Sequence, residues 1–226
     1  MIGNHNKKII QLLLVFIICN IYFSADAKQI CEGIKGGIDF SVNVIPKNIS
    51  YNLDITQNDL NRLAGKNFGK YKNYRVLGLT STKQSISANM RGQTSQIPSG
   101  LFCFRLTSVD IKIKMLKLDV YVLGKYARGS CQYAAIIDHE HEHVSIYQTG
   151  IRTMEQAFKN KLGYIIRNLP PGIANTSDKA GEIVFSKMRE KINQIKLPIE
   201  REMKFRDRQI DTPQSYKRLT QKCSKW

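Results

Sequence analysis

The sequence predicts an α+β fold, in which a small mixed or antiparallel sheet packs on a long helix and further helices follow toward the C-terminus. In the first half of the chain, apolar and polar residues alternate over short stretches, which is typical of strands. In the second half, the apolar residues recur at helical spacing. Because the strands precede the helices instead of alternating with them, the pattern favours α+β over a parallel α/β sheet.

Residues 1–27 have the pattern of a secretory signal peptide. A polar, lysine-containing start precedes an apolar stretch at 9–23, and an Ala-x-Ala pattern follows it. We expect cleavage after Ala27 and a mature protein that is periplasmic or secreted. The mature chain, 28–226, has a length that suits one domain.

Four cysteines remain in the mature chain: Cys31, Cys103, Cys131 and Cys223. An even number of cysteines in an exported chain predicts two disulfides. Three pairings are possible, and we favour Cys103–Cys131 with Cys31–Cys223. The first would tie a strand to the start of a long helix, and the second would join the ends of the mature chain.

The first half predicts short strands and one helix. Strands are predicted at 38–44, 50–55, 74–80, 85–90 and 109–123, with a helix between Thr56 and Gly65 and a loop at 92–100. The alternation is strict over 109–115. At Leu116 the phase of the alternation changes, and a bulge or a bend near 115–116 would account for that change.

The second half predicts helices. Ser130 can cap a helix that starts near Cys131, and the helical pattern continues to 169 with Gly150 as a candidate kink or stop. Further helices are predicted at 181–196, at 199–209 and from Pro213 to Cys223, with breaks at 170–172 and at Pro198.

The first of these helices carries the sequence His-Glu-His-Glu-His at 139–143, which contains an H-E-x-x-H pattern. At about 100° per residue, His143 lies about 40° and Glu140 about 100° around the helix from His139. Ala135, Ile136, Ile146 and Tyr147 share that sector, whereas Asp138, His141, Ser145 and Gln148 form an opposite stripe. We therefore expect His141 to face solvent.

Two histidines one turn apart with a neighbouring glutamate are the minimal pattern of a zinc hydrolase. His139 and His143 would bind Zn²⁺, and Glu140 would be the general base for a water molecule in the open position. No histidine follows His143, so the third protein ligand has to be a carboxylate or, less simply, a tyrosine. The candidate carboxylates are Glu182, Glu190, Asp207 and Asp211.

The segment 131–144 resembles a bacterial family of uncharacterised, predicted secreted zinc-dependent proteases, in which a cysteine and an apolar turn precede H-E-x-x-H. The segments 51–63, 77–80 and 210–216 are similar to that family as well. The resemblance implies a zincin-like core, with a small sheet packed on the active-site helix, and assigns roles to His139, His143 and Glu140 alone. This chain lacks the downstream histidine that some members have, so the third ligand stays open.

These observations predict an exported zinc metallohydrolase, with a peptide or protein substrate held along the edge of the strand at 118–123. The alternative is a non-catalytic metal-binding envelope protein whose basic surface docks to anionic polymers or to a membrane. The chain carries a formal charge of +17, and residues 1–27 contribute only +1 of it. A nucleic acid partner is not expected, because lysines and arginines are scattered and not clustered with aromatic residues. The sequence leaves the oligomeric state undetermined.

Overall fold

A computed structural model describes Cys31 and the residues 37–65 and 76–226. The predicted signal peptide lies outside the described residues. The predicted α+β class is confirmed, since the described part contains a five-stranded sheet together with helices. The strands are β1 (Asp39–Ile45), β2 (Ser50–Ile55), β3 (Gly78–Gln96), β4 (Phe102–Leu123) and β5 (Gly172–Ala174). The helices are α1 (Gln57–Ala64), α2 (Cys131–Ala157), α3 (Gly163–Arg167), α4 (Ser177–Ile210) and α5 (Pro213–Gln221), with a π-helical turn at Phe158–Leu162.

The described residues form two compact units. One contains Cys31 and 37–40, together with Asn89–Asp110 and Leu162–Lys191. The other, which we call the motif unit, contains 41–65, 76–88, Ile111–Lys161 and Ile192–Trp226. The expectation of a single domain over 28–226 stays a prediction.

The sheet is mixed and is organised around β4. β2 pairs with β4 in parallel, from Ser50 opposite Asp119 to Ile55 opposite Leu123, and β5 pairs with β4 in antiparallel fashion. β1 and β3 also pair with β4. The strand at 118–123 is therefore an inner strand, and the prediction that it offers a free edge to a peptide is wrong.

β3 is one continuous strand where the sequence predicts two strands and a loop. Gly92, which suggested a loop, lies inside the strand. The residue is glycine because a side chain does not fit at this position. A Cβ atom at this position would lie 2.1 Å from the ring of Phe104 and 2.5 Å from the carbonyl oxygen of Arg105. The turn comes later, at Gly100, whose φ of +83° favours glycine.

β4 confirms the predicted change in the phase of the alternation at Leu116. Val109, Ile111, Ile113 and Met115 are buried on one side of Leu116, and Leu118, Val120 and Val122 are buried beyond it. The buried set changes from odd to even residue numbers within one strand.

The long helices differ from the prediction in where they stop. Ser130 caps α2 by accepting a hydrogen bond from the backbone N–H of Tyr133, as predicted, but the helix continues past Gly150. α4 likewise continues through Pro198, so the predicted break there is wrong. Ile192 and Met203 are buried on the two sides of this proline. Their packing holds the helix together although proline removes one backbone hydrogen bond. Within the described residues, none of the helices is both long and apolar enough to cross a membrane.

The disulfides are Cys31–Cys103 and Cys131–Cys223, so the favoured pairing of Cys103 with Cys131 and of Cys31 with Cys223 is wrong. The Cα atoms in the two bonds are 6.0 and 5.9 Å apart, within the usual range. The physical reason is that α5 returns the C-terminal end of the chain to the start of α2. Each disulfide therefore forms within one compact unit.

Gly150 lets α2 and α4 approach closely in the motif unit. A Cβ atom there would lie 2.2 Å from Sδ of Met203, which is buried. We expect Gly150→Ala to lower the free energy of unfolding. Overpacking should cost about 1–3 kcal/mol, and the higher helix propensity of alanine should offset about 1 kcal/mol of that cost. In a Met203→Ala background, the clash disappears and the same change should be stabilising. Urea unfolding of the four proteins of this cycle tests the contact, and an equal effect of Gly150→Ala in both backgrounds would disprove it.

Candidate metal centre

The H-E-x-x-H residues form the polar part of the buried face of α2. His139, Glu140 and His143 are 8%, 3% and 6% exposed. The predicted solvent stripe is confirmed, since Asp138, His141, Ser145 and Gln148 are all exposed. His141 lies apart from the other two histidines of the motif. Its Nε2 atom forms a hydrogen bond of 2.8 Å with the hydroxyl of Tyr51.

Asp211 is the carboxylate that meets the two buried histidines. Its Oδ1 lies 3.2 Å from Nε2 of His139 and 3.2 Å from Nε2 of His143. These three residues form a candidate metal-binding triad, in which one ligand atom of each lies within 4.8 Å of the others. Asp211 follows the last residue of α4, so a helix distant in sequence completes the site.

The other predicted third ligands have different positions. Glu182 and Glu190 belong to the other compact unit, where Glu182 pairs with Arg189 and Glu190 lies 3.9 Å from Lys191. Asp207 lies in the motif unit but contacts the far nitrogen of His143, not Nε2. Asp211 is thus the candidate that reaches both histidine Nε2 atoms.

The donor set and its spacing fit a metal ion. Imidazole nitrogens and carboxylate oxygens are common ligands of zinc and of other divalent transition metals. Ligand atoms at about 2.0–2.1 Å from a tetrahedral ion are about 3.3 Å from one another. The two separations of 3.2 Å to Asp211 are close to that value. The carboxylate of Asp211 is 29% exposed, so an ion and a water molecule can reach the site from solvent.

Asp207 fixes the orientation of the His143 ring. The Nδ1–H of His143 donates a hydrogen bond of 2.8 Å to the Asp207 carboxylate. The Tyr147 hydroxyl also hydrogen-bonds Asp207, and Thr82 on β3 hydrogen-bonds the same tyrosine. A carboxylate on the far nitrogen of a histidine is the usual support for a metal ligand, because it directs the lone pair of Nε2 toward the ion.

The carboxylates also control the charge of the site. Burial lowers the pKa of the His143 imidazole, but the hydrogen bonds to Asp207 and Asp211 and the charges of Asp211 and Glu140 raise it to about 10. Burial acts to raise the pKa of Asp211, but its hydrogen bonds with His139 and His143 hold that pKa well below its usual range. In the absence of a metal ion, the site therefore contains an imidazolium at His143 and a carboxylate at Asp211 at neutral pH.

Glu140 is held between α2 and β3. The Thr80 hydroxyl donates to Oε2 of Glu140 at 2.8 Å, and a Cβ atom on Gly78 would lie 2.6 Å from Oε1. Burial raises the pKa of the Glu140 carboxyl, and the charges of His143 and His139 and the hydrogen bond from Thr80 offset part of that rise. Gly78 and Thr80 at the start of β3 thus position this carboxylate, whereas its basicity comes from burial.

Tyr216 is a residue that the sequence analysis left without a role. Its hydroxyl donates to Oδ1 of Asp211 at 3.4 Å, and its ring centroid lies 5.6 Å from that of His139. Burial and the charge of Asp211 raise the pKa of Tyr216, so its hydroxyl stays protonated. The segment 210–216 carried a family resemblance, but spacing along the chain could not reveal that Tyr216 faces the H-E-x-x-H residues.

The C-terminal segment is fastened to α2, which positions Asp211 and Tyr216. Thr212 caps α5 through a capping box with Ser215. The Cys131–Cys223 disulfide then joins the end of α5 to the start of α2, and Lys222 pairs with Asp138 at 3.8 Å. A disulfide and an ion pair thus hold the C-terminal segment against α2.

The chain matches no known protein family, no curated protein and no solved structure. The resemblance to predicted secreted zinc-dependent proteases therefore stays a prediction. The chemistry of the site rests on its own geometry.

We expect Asp211→Ala to abolish stoichiometric binding of a divalent metal, because two histidines alone leave the ion without its third protein ligand. Asp207→Asn should weaken binding by about 10–100-fold, as is usual for a residue that supports a ligand. Glu182→Gln is the control and should bind as the wild type does. Competition with a chromophoric chelator measures all four affinities, and tight binding by Asp211→Ala would rule out the triad.

The charge of His143 predicts how the metal-free protein responds to pH. Its pKa rises from 6.5 to about 10 on folding, so its ion pairs stabilise the fold fully below pH 6.5. That stabilisation should decline as the pH rises through about 10. Urea unfolding in the presence of a chelator between these pH values checks the trend. His143→Gln should flatten it, and an unchanged slope in that variant would contradict the assignment.

Proposed function

We propose that the protein is an exported zinc-dependent metallohydrolase that cleaves peptide bonds. The observation that carries the proposal is the convergence of His139, His143 and Asp211 beside the buried carboxylate of Glu140. A metal site used only for storage or structure needs no buried base next to it. A hydrolase does, because the attacking water has to lose a proton.

His139, His143 and Asp211 would hold the ion, with Asp207 orienting His143. A zinc ion supplies Lewis acidity there, since it acidifies a water molecule and polarises a carbonyl group. The resident metal is proposed as zinc on the basis of the H-E-x-x-H pattern, because the triad itself is also compatible with other divalent ions.

Glu140 would transfer the proton. Its carboxylate accepts a proton from water while the water oxygen bonds to the scissile carbonyl carbon. The C–N bond then breaks, and Glu140 gives the proton to the departing amine. The raised pKa of Glu140 suits the first step, because a more basic carboxylate accepts the proton of the attacking water more readily.

Tyr216 is placed to assist the same reaction. Its hydroxyl donates to Asp211 in the metal-free site. Once Asp211 binds the ion, this hydroxyl would turn to donate a hydrogen bond to the negative charge that develops on the carbonyl oxygen. The position of β3 supports the proposal of a peptide substrate. Among the described strands β3 pairs with β4 alone, and its Thr80 hydrogen-bonds Glu140. An extended peptide could pair with the free edge of this strand.

Export to the periplasm or beyond is part of the proposal. It rests on the predicted signal peptide and is supported by the two disulfides, since disulfides persist in oxidising compartments.

We expect Glu140→Gln to retain the metal and to lose peptide hydrolysis by about 100-fold or more, because the amide cannot accept a proton. Metal content measured by atomic absorption and cleavage of an unstructured protein such as casein give the two readings. Glu142→Gln is the matched control, since Glu142 is exposed on the same helix and should leave both readings unchanged.

Two results would count against this function. If Glu140→Gln hydrolyses as fast as the wild type, Glu140 is not the base. If the wild-type protein binds metal stoichiometrically and cleaves no peptide bond, the non-catalytic metal-binding alternative is the better description.

A further inference from the structure

The part of α4 in the motif unit has a basic and partly apolar outer face. At about 100° per residue, Leu197, Arg201, Lys204, Phe205 and Arg208 lie within an arc of about 100°. All five are exposed, whereas Ile192 and Met203 on the opposite side of the helix are buried. We call these five residues the outer face of α4.

The cations of the outer face differ from the other cations of the same helix segment. Lys196 pairs with Glu200 at 3.7 Å and Arg206 pairs with Glu202 at 2.7 Å. Within the described part of the chain, Arg201, Lys204 and Arg208 form no ion pair with an acidic side chain. No acidic residue of 194–208 lies in their arc. The helix segment thus carries its paired cations, Lys196 and Arg206, outside this arc and its cations without an acidic partner on the outer face.

Two large apolar side chains lie among these cations. Leu197 is 48% exposed and Phe205 is 52% exposed. They are about 12 Å apart along the helix axis, at a rise of about 1.5 Å per residue. Phenylalanine and leucine on a helix face rich in lysine and arginine are typical of segments that lie in a membrane interface.

We infer that the outer face of α4 docks the protein on the surface of a bilayer that contains anionic phospholipids. The three cations match the negative headgroups, and Leu197 and Phe205 enter the boundary between headgroups and acyl chains. A soluble acidic polymer could match the cations, but it would leave the two apolar side chains in water. The apolar pair therefore favours a lipid surface over a polymer.

The position of the outer face gives docking a consequence for the metal centre. Lys204 precedes Asp207 by one helical turn, and Arg208 precedes Asp211 by the same spacing. Docking would therefore bring the metal centre close to the membrane surface and to proteins at that surface. This inference does not rest on the proposed hydrolase function, because docking needs neither a metal ion nor catalysis.

The test is binding to vesicles of equal parts phosphatidylglycerol and phosphatidylcholine, measured by co-sedimentation at low ionic strength. The protein is purified after export, so that every variant carries the same N-terminus. We expect the triple variant Arg201→Glu, Lys204→Glu, Arg208→Glu to bind at least about a hundredfold more weakly, since each cation near an anionic surface contributes a factor of about five. Circular dichroism and thermal unfolding confirm that the variant is folded.

A matched control separates the outer face from the overall charge of the protein. Lys161→Glu, Lys179→Glu, Lys187→Glu makes the same change in net charge at three exposed lysines elsewhere. This variant should bind vesicles several-fold to tenfold more tightly than the outer-face variant does. Equal loss in the two triple variants would overturn the proposal, because it would make binding a property of net charge.

A second variant tests the choice of lipid over polymer. Leu197→Ser with Phe205→Ser should weaken binding to the vesicles by about tenfold or more and leave binding to a soluble acidic polysaccharide unchanged. If this variant binds vesicles as the wild type does, the apolar pair does not enter the bilayer and the lipid assignment fails. Wild-type protein that binds the polysaccharide more tightly than the vesicles would likewise overturn it.

Discussion

The candidate metal centre depends on one contact, in which the Nε2 atoms of His139 and His143 meet a single carboxylate oxygen of Asp211. A buried imidazole needs a partner for each of its polar atoms, or its desolvation is not offset. Asp211 provides that partner for two rings at once. It also brings one carboxylate oxygen to 3.2 Å from two ring nitrogens, a spacing compatible with a divalent ion that would replace these hydrogen bonds with coordination.

This contact requires several elements to agree. Gly150 allows α4 to lie close to α2, which brings Asp207 beside His143. The helix ends at Ile210, so Asp211 is free to turn toward both rings. The capping box of α5 and the Cys131–Cys223 disulfide then hold the following segment against α2. Close helix packing, a helix end and a covalent bond thus all act on the position of one carboxylate.

Features that depend on neighbouring residues were predicted correctly more often than features that depend on packing. The cap at Ser130, the change of phase at Leu116 and the exposure of His141 follow from residues a few positions apart, and each is confirmed. The breaks at Gly92 and Pro198 were wrong because packing outweighs local preference at both places. Glycine at 92 makes room for Phe104, and buried residues on both sides of Pro198 keep α4 continuous.

The order of residues along the chain was enough to identify the two histidines, the neighbouring glutamate and the helix face on which they lie, because the period of a helix is fixed by its backbone geometry. It also restricted the third ligand to a few carboxylates. Only the tertiary structure selected Asp211, placed Thr80 and Tyr216 in the site and paired the cysteines. These contacts join residues about 60 to 90 positions apart, and side-chain spacing along a single helix carries no information about which distant segment packs against it.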